Sequence, residues 1–274
     1  MRRSASVRTT VLLAALTLAC EGGAPATDDA AGMDAAASAS DAVPAGAQPG
    51  DPAGSDSAAN GHGSPADQDT LPVPDRSQET VRDAGEKPER VMDELGIGPG
   101  SHVADVMAGG GYYTWWLAKR VGPSGRVYAT EAEGLVRRLE RGDLEGVSNV
   151  KVPGNLAEVP AGTLDAVIIN RGYHLFNQPQ TRILPLIMAA LKPGGRLGIV
   201  EVRLGMPTGH DMRTHRMGQR TVREEVEAAG FRFAGASELL ANPEDPRDDF
   251  MEGRRHLADR MFLKFTKPAA TAGR

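Results

Sequence analysis

The chain has 274 residues, of which 40% are hydrophobic, so it is long enough for one folded domain with a substantial core. Its net charge is −5, and its lysines and arginines form no basic run, which argues against nucleic acid as a partner. The single cysteine, Cys20, excludes an internal disulfide and any metal site built from several cysteines. The composition therefore indicates one globular domain with extensions.

The first twenty residues have the pattern of an export signal. Three arginines in the first eight residues form a basic start, and Val11–Ala19 is an apolar run too short to span a bilayer. The segment Leu16–Cys20 resembles a bacterial lipobox, where cleavage leaves the cysteine N-terminal and acylated. We therefore expect a periplasmic or membrane-anchored lipoprotein that contacts the membrane only through Cys20. An ordinary signal peptide cut near Ala19 is the alternative.

The next segment, residues 21–75, is made mainly of Ala, Gly, Ser, Asp and Pro. It has almost no large apolar side chain and cannot bury enough surface to offset the entropy of ordering, so we expect a disordered linker. The folded domain is expected over residues 76–268, followed by a tail at 269–274.

Beyond residue 86, short apolar runs alternate with amphipathic stretches, which is the pattern of βαβ units. The expected helices are 88–95, 112–121, 134–141, 181–191 and 221–229. The expected strands are 102–107, 125–130, 150–153, 164–170, 196–202, 231–237 and 261–265. The predicted fold class is therefore α/β: a Rossmann-like, doubly wound single domain with a seven-stranded, mostly parallel sheet.

The most informative segment is a strand that ends in glycines, Val103–Tyr113. Glycines at such a turn let the backbone approach a ligand, and the helix that follows offers unpaired N–H groups. A dinucleotide-binding turn would need glycine where Thr114 stands. The acid Asp105 instead suits a cofactor with a cationic amino group and no phosphate. S-adenosyl-L-methionine (SAM) has these properties.

With this turn, the chain resembles the class I SAM-dependent methyltransferases over residues 84–268. The Lys87-Pro88 helix start, Asn170-x-x-Tyr173-His174 and His215-Arg216 are in particular similar to a group of predicted exported bacterial methyltransferases. Their first motif is matched by Asp105–Gly111, except that Met107 stands at the first glycine position. Their second motif is matched by Glu131 after the second strand, and their third by Asn155, where aspartate is usual.

The resemblance implies a SAM site. Two oxygens of Glu131 would accept hydrogen bonds from the ribose hydroxyls, and the amide oxygen of Asn155 would accept one from the adenine amino group. Tyr112 would close over the cofactor. The residues expected to bind SAM are Asp105, Ala108, Gly109, Gly111, Tyr112, Glu131, Asn155, Leu156 and Asn170.

Candidate catalytic residues lie at Tyr173, His174 and His215. The first two follow the fourth strand, and ligands of such sheets bind at the carboxyl ends of strands. Either side chain would take a proton from the methyl acceptor or orient it. The alternative is that Tyr173 packs against the sheet and His174 makes a structural hydrogen bond. Glu201, after the fifth strand, either enters the same cleft or reaches solvent.

The segment before the last helix carries His210, Asp211 and His215, which on paper could supply three metal ligands. Their spacing matches no established ligand pattern, so we expect a flexible polar loop over the substrate mouth and no metal ion.

The leading hypothesis is an exported SAM-dependent methyltransferase acting on a small molecule or an envelope component. Because SAM is made in the cytoplasm, an exported enzyme would need a supply. This motivates a second hypothesis, a non-catalytic module that binds a nucleoside-like ligand or a partner on the same fold. The presence of both Asp105 and Glu131 favours retained SAM binding. A nicotinamide-dependent oxidoreductase is disfavoured by the missing third glycine.

Overall fold

The structure is a computed structural model that describes residues 76–176, 180–251 and 254–269. The predicted signal segment, Cys20 and the linker lie outside the described residues. Within these ranges, no helix combines the length and apolar character needed to cross a membrane.

The described residues form six α-helices, which are α1 (Arg76–Glu86), α2 (Pro88–Glu94), α3 (Tyr112–Val121), α4 (Glu133–Arg141), α5 (Gln180–Ala190) and α6 (Gln219–Ala228). They also form nine β-strands, which are β1 (His102–Val106), β2 (Arg126–Ala129), β3 (Val150–Lys151), β4 (Leu164–Asn170), β5 (Leu191–Val202), β6 (His210–Asp211), β7 (Arg216–Met217), β8 (Arg232–Ser237) and β9 (Arg260–Thr266).

Seven of these strands form one sheet in the order β3-β2-β1-β4-β5-β9-β8. Strands β1 to β5 pair in parallel, whereas β9 is antiparallel to both of its neighbours. This arrangement confirms the predicted α/β, Rossmann-like class with a seven-stranded, mostly parallel sheet. The strand order reverses between β1 and β4, which is where doubly wound sheets open a crevice for ligands.

The core has one apolar layer on each face of the sheet. Alternate residues of β4 point to opposite faces, as the period of a strand requires. Val167 and Ile169 pack in the layer that contains residues of α5 and α6, whereas Ala166 and Ile168 pack in the layer that contains residues of α2, α3 and α4. Helices on both faces explain why β4 is apolar at nearly every position.

Helix α1 is an element that the sequence pattern does not predict. It has no apolar stripe, and its two buried side chains with negative charge are Glu79 and Glu86. The Arg138 guanidinium donates hydrogen bonds to both oxygens of Glu79, at 3.1 and 3.0 Å, and to the carbonyl of Gly110 at 2.7 Å. One buried guanidinium therefore holds α1 against the glycine turn.

The second buried carboxylate of α1, Glu86, lies among three arginines. Arg260 donates to it at 2.6 Å, and Arg171 and Arg82 lie at 3.2 and 3.5 Å. Burial disfavours the charge, but the guanidinium groups outweigh it and hold the pKa of Glu86 below its ordinary value. This carboxylate joins α1 to the loop after β4 and to β9.

Replacing Glu79 with glutamine should destabilise the protein, because Arg138 would remain buried without a counter-charge. We expect Glu79→Gln to lower the free energy of unfolding by about 3 kcal/mol. The control is Glu227→Gln, whose pair with Arg223 is solvent-exposed and should contribute less than about 1 kcal/mol. Urea unfolding followed by tryptophan fluorescence measures both, and equal effects would contradict the anchoring role of Glu79.

Candidate functional site

The carboxyl ends of β1, β2, β4 and β5 meet at one edge of the sheet, where ligands of this architecture bind. Three non-glycine residues that lie one or two positions after these strands have positive φ angles: Met107 (62°), Glu131 (47°) and Arg171 (54°). Such backbone strain persists only where the surrounding structure enforces it, and it clusters at functional sites. The edge is therefore the candidate site.

The glycine turn after β1 is closely packed on one side and open on the other. Gly111 has a φ of 78°, and a Cβ there would lie 2.6 Å from Leu135 Cδ1. A Cβ on Gly134, at the start of α4, would lie 3.0 Å from Gly110 Cα. Gly109 is exposed, and a Cβ there would meet nothing within 4 Å. The open space beside Gly109 can receive a ligand.

Asp105 lies at the end of β1 and is 2% exposed. Its carboxyl accepts hydrogen bonds from the Thr114 hydroxyl, at 2.6 Å, and from the Thr114 backbone. Burial raises the pKa of Asp105 to about 7, although the bonds from Thr114 oppose this shift. Besides the predicted contact with an amino group, Asp105 thus secures the first turn of α3 behind the glycines.

Glu131 is half-buried at the end of β2, beside the glycine turn. Its carboxylate accepts from the backbone N–H of Met107 at 3.3 Å and from the Thr130 hydroxyl. Its carbonyl accepts from the N–H of Gly109 at 2.9 Å. Ala108 is fixed in the same way by a bond from its N–H to the Thr130 carbonyl. These bonds fix Glu131 beside the glycine turn, and its contact with a ribose stays a prediction.

Two amides of the predicted cofactor site differ in their surroundings. Asn155 is exposed, and its oxygen accepts from the N–H of Ala157 at 2.8 Å, which caps a short 3-10 turn that starts at buried Leu156. This hydrogen bond competes with the predicted adenine contact for the same oxygen. Asn170, at the end of β4, has a buried Oδ1 with no hydrogen-bond partner among the described residues.

The hydroxyls of Tyr112 and Tyr173 both donate hydrogen bonds to carboxylates of the protein. The Tyr112 hydroxyl donates to Asp83 of α1 at 2.7 Å, so this ring supports α1. Tyr173 is fully buried, and its hydroxyl donates to Glu225 of α6 at 2.9 Å. Burial raises the pKa of both phenols. The structure therefore does not bring the Tyr173 hydroxyl together with the predicted histidines, and it shows the alternative of packing against the sheet.

His174 and His215 do come together, and Glu201 joins them. His174 is 3% exposed, with Nδ1 3.0 Å from the Glu201 carboxylate and Nε2 2.8 Å from His215 Nδ1. Glu201 is fully buried at the end of β5 and does not reach solvent. The sequence placed Glu201 at a strand end but gave no signal for its pairing with a histidine 27 residues earlier.

The segment before α6 is not the flexible loop that the sequence suggested. It forms a hairpin in which His210 pairs with Met217 and Asp211 pairs with Arg216. Arg216 is fully buried and donates to both oxygens of Asp245, at 2.9 and 3.1 Å. Within the described residues, no three His, Cys, Asp or Glu side chains are arranged to hold a metal ion.

His210 belongs to strand β6 of this hairpin, and its ring centre lies 6.2 Å from that of His174. Its Nε2 is buried and has no hydrogen-bond partner among the described residues. Burial lowers the pKa of His210, so its imidazole is neutral near pH 7. The carboxyl edge thus carries two buried polar atoms that lack a partner in the described chain, Asn170 Oδ1 and His210 Nε2.

Comparisons with known proteins give partial matches. No family model matches the chain. A demethylmenaquinone methyltransferase of Lactococcus lactis is 32% identical over 118 residues, which cover 41% of this chain and 46% of that protein. The chain thus spans about half the length of the curated relatives it matches.

Solved structures match over more of the chain. A SAM dependent methyltransferase from Aquifex aeolicus has a TM-score of 0.54 and 22% identity, covering 68% of this chain and 93% of its own. The cyclase SpnF has a TM-score of 0.52 and 18% identity, covering 68% and 82%. These likenesses show that the fold is that of the class I SAM-dependent methyltransferases. The likeness to an exported group stays a prediction.

The raised pKa of Asp105 should make stability depend on pH. The folded state keeps the proton up to about pH 7, whereas the unfolded chain releases it near 3.8, so stability falls as pH rises between these values. From pH 5 to pH 8, the wild type should lose about 3 kcal/mol more unfolding free energy than Asp105→Asn. Urea titrations of both proteins test this, and parallel losses would mean that Asp105 is already ionised when folded.

Proposed function

We propose that the chain is a SAM-dependent methyltransferase whose acceptor is a small molecule or an envelope component. The observation that carries the proposal is the placement of Glu131. Its carboxylate is bonded to the glycine turn, beside the open space at Gly109. The fold and the match to a curated methyltransferase support the same activity.

The residues of the edge fit SAM in charge and in hydrogen bonding. Glu131 offers oxygens for the ribose hydroxyls, and the open face of Gly109 gives room for the backbone to approach the amino-acid part. The Asn170 oxygen, buried without a partner in the described chain, would accept from the cationic amino group. When bound, SAM supplies a methyl group activated by a sulfonium, and the chain's residues position the acceptor in line with it.

A binding module without methyl transfer is the second candidate. SpnF has this fold and is named as a cyclase, so the fold is not restricted to methyl transfer. Fold alone therefore does not define the reaction. The two candidates differ in one property, because a binding module would bind SAM or a related nucleoside and transfer no methyl group.

Isothermal titration of the full-length chain with SAM and with S-adenosylhomocysteine tests the proposal. We expect micromolar binding of both, and Glu131→Ala should weaken it by about tenfold or more, because a pair of charge-assisted hydrogen bonds is lost. The matched control is Glu133→Ala, an exposed residue in the first turn of α4. It should leave the affinity unchanged.

The titration, combined with an assay for transfer of labelled methyl groups, separates the two candidates. Binding of both ligands without release of labelled methyl to any acceptor would favour the binding module. Failure of the wild-type chain to bind either ligand would contradict the proposed cofactor site. Equal affinities of the wild type and Glu131→Ala would refute the role of Glu131.

We further propose that the protein is exported and anchored by an acylated Cys20. Support comes from the basic start, the short apolar run Val11–Ala19 and the lipobox-like segment before the cysteine. Several acyl chains on one residue would hold the domain firmly at a membrane surface. These residues lie outside the described part of the structure.

Expression in a bacterial host fed labelled palmitate checks the anchor. The wild-type chain should incorporate the label and sediment with membranes, whereas Cys20→Ser should do neither, because it lacks the thiol to be acylated. Cys20 is the only cysteine, so no other thiol can carry the label. An unlabelled wild-type chain would leave the ordinary signal peptide as the explanation of the first twenty residues.

A further inference from the structure

A cavity of about 460 Å³ is lined by the residues that follow β5 and by the start of α6. No residue that we propose to bind SAM lines it, and no carboxylate is among its described lining residues. Its charged lining residues are four arginines: Arg203, Arg220, Arg223 and Arg247. We propose that this arginine cavity binds the phosphate group of an organic phosphate ester. The inference is independent of methyl transfer.

Asp259, which directly precedes β9, holds two of these arginines next to each other. Its carboxylate is buried, and Oδ2 lies 3.3 Å from Arg203 Nε and 2.8 Å from Arg247 Nη2. The other oxygen, Oδ1, accepts a hydrogen bond from the Asn242 N–H at 3.0 Å, which fixes the carboxylate. One buried negative charge therefore positions two guanidinium groups from distant parts of the chain.

Arg247 is held in a strained backbone conformation. Its φ is 64°, in the left-handed region that non-glycine residues rarely adopt. Its N–H donates to Asp245 at 2.9 Å, and that carboxylate also pairs with the buried Arg216. Strain of this kind persists only where surrounding contacts enforce it, and it clusters at ligand clamps. The Arg247 side chain remains 34% exposed, so a ligand in the cavity can reach its guanidinium.

Helix α6 adds two guanidinium groups and the positive end of its dipole. Its N-cap, Gly218, has no side chain to accept from the first N–H groups, and its first turn has no acidic residue. Arg220 is exposed in this turn, and Arg223 follows about one turn later. The helix and its arginines therefore both favour an anion in the cavity.

The positive charges around the cavity are not fully balanced. Arg203 pairs with Glu238 as well as with Asp259, Arg223 pairs with Glu227, and the glutamates both reach solvent. Within the described residues, three carboxylates thus pair with the four arginines. Guanidinium groups gathered around one cavity repel one another, and an anion between them relieves that repulsion.

The size and lining of the cavity favour a phosphate that is attached to an organic group. Arginine suits phosphate, because its planar fork can donate two parallel hydrogen bonds to phosphate oxygens. A volume of about 460 Å³ lies in the usual range for small-molecule sites and exceeds what one phosphate group fills. Leu204 and Met206 also line the cavity, and Met206 is 65% exposed. Their apolar side chains would contact the organic part of the ester.

Isothermal titration of the full-length chain with phenyl phosphate tests the arginine cavity in the absence of SAM. We expect saturable binding of phenyl phosphate and no binding of phenol, which lacks the phosphate. Arg220→Gln should weaken the affinity by at least about tenfold, because charge-assisted hydrogen bonds are lost. Arg247→Lys keeps the charge but not the planar fork, and it should also weaken binding.

The matched control is Arg213→Gln, which removes the same charge from the neighbouring hairpin. Arg213 is 73% exposed and does not line the cavity, so screening by salt should keep its effect on the affinity within about twofold. Arg220 is exposed as well, so its replacement should leave the urea midpoint unchanged. Equal losses for the two variants would show attraction by overall charge and overturn the arginine cavity. Equal binding of phenol and phenyl phosphate would overturn the assignment of phosphate.

The phosphate can belong to a soluble molecule or to a lipid headgroup, and cosedimentation with phosphatidylglycerol vesicles distinguishes the two. The Cys20→Ser chain is used, because it cannot be acylated. Sedimentation that Arg220→Gln abolishes assigns the phosphate to a lipid, whereas binding of phenyl phosphate without such sedimentation assigns it to a soluble ester. A chain that shows neither arginine-dependent result contradicts the proposal, while the titration with SAM still decides the proposed function.

Discussion

The reversal of strand order between β1 and β4 is the constraint on which the site depends. It brings the loops after β1 and β4 to opposite sides of one crevice, and parallel pairing places the ends of β2 and β5 at the same edge. The glycine turn and Glu131 then lie on the side of β1 and β2, whereas His174 and Glu201 lie on the side of β4 and β5. The two sides that we propose for the cofactor and for the acceptor are therefore separated by the topology of the sheet.

Helix α1 links the two sides of the crevice, because buried ion pairs attach it to each of them. Glu79 reaches the glycine turn through Arg138, and Glu86 reaches the loop after β4 through Arg171. Removing one partner of such pairs leaves an uncompensated buried charge, so the contacts are specific even where their net contribution to stability is small. The geometry of the turn and that of α1 are therefore coupled.

The sequence predicted the elements whose signal is local. The apolar run of β4 and the glycine turn were identified with their boundaries, because burial on both faces and tight turns leave marks in consecutive residues. Helix α1 was missed because charge pairs, rather than an apolar stripe, bury it. The hairpin was missed because its stability comes from Arg216 and the distant Asp245. Contacts between residues far apart in the chain leave no periodic pattern in the sequence.

The distinction between local signals and long-range contacts also explains which of the candidate catalytic residues meet in the structure. Position after a strand end selected Tyr173 and His174 equally, since both follow β4, yet a 3-10 turn directs them differently. Tyr173 packs inward and bonds to Glu225, whereas His174 bonds to Glu201 and His215. A buried carboxylate next to an imidazole restricts the tautomer and the orientation of the ring. The geometry of the edge therefore depends less on which polar residues follow β4 than on which of them meets the carboxylate at the end of β5.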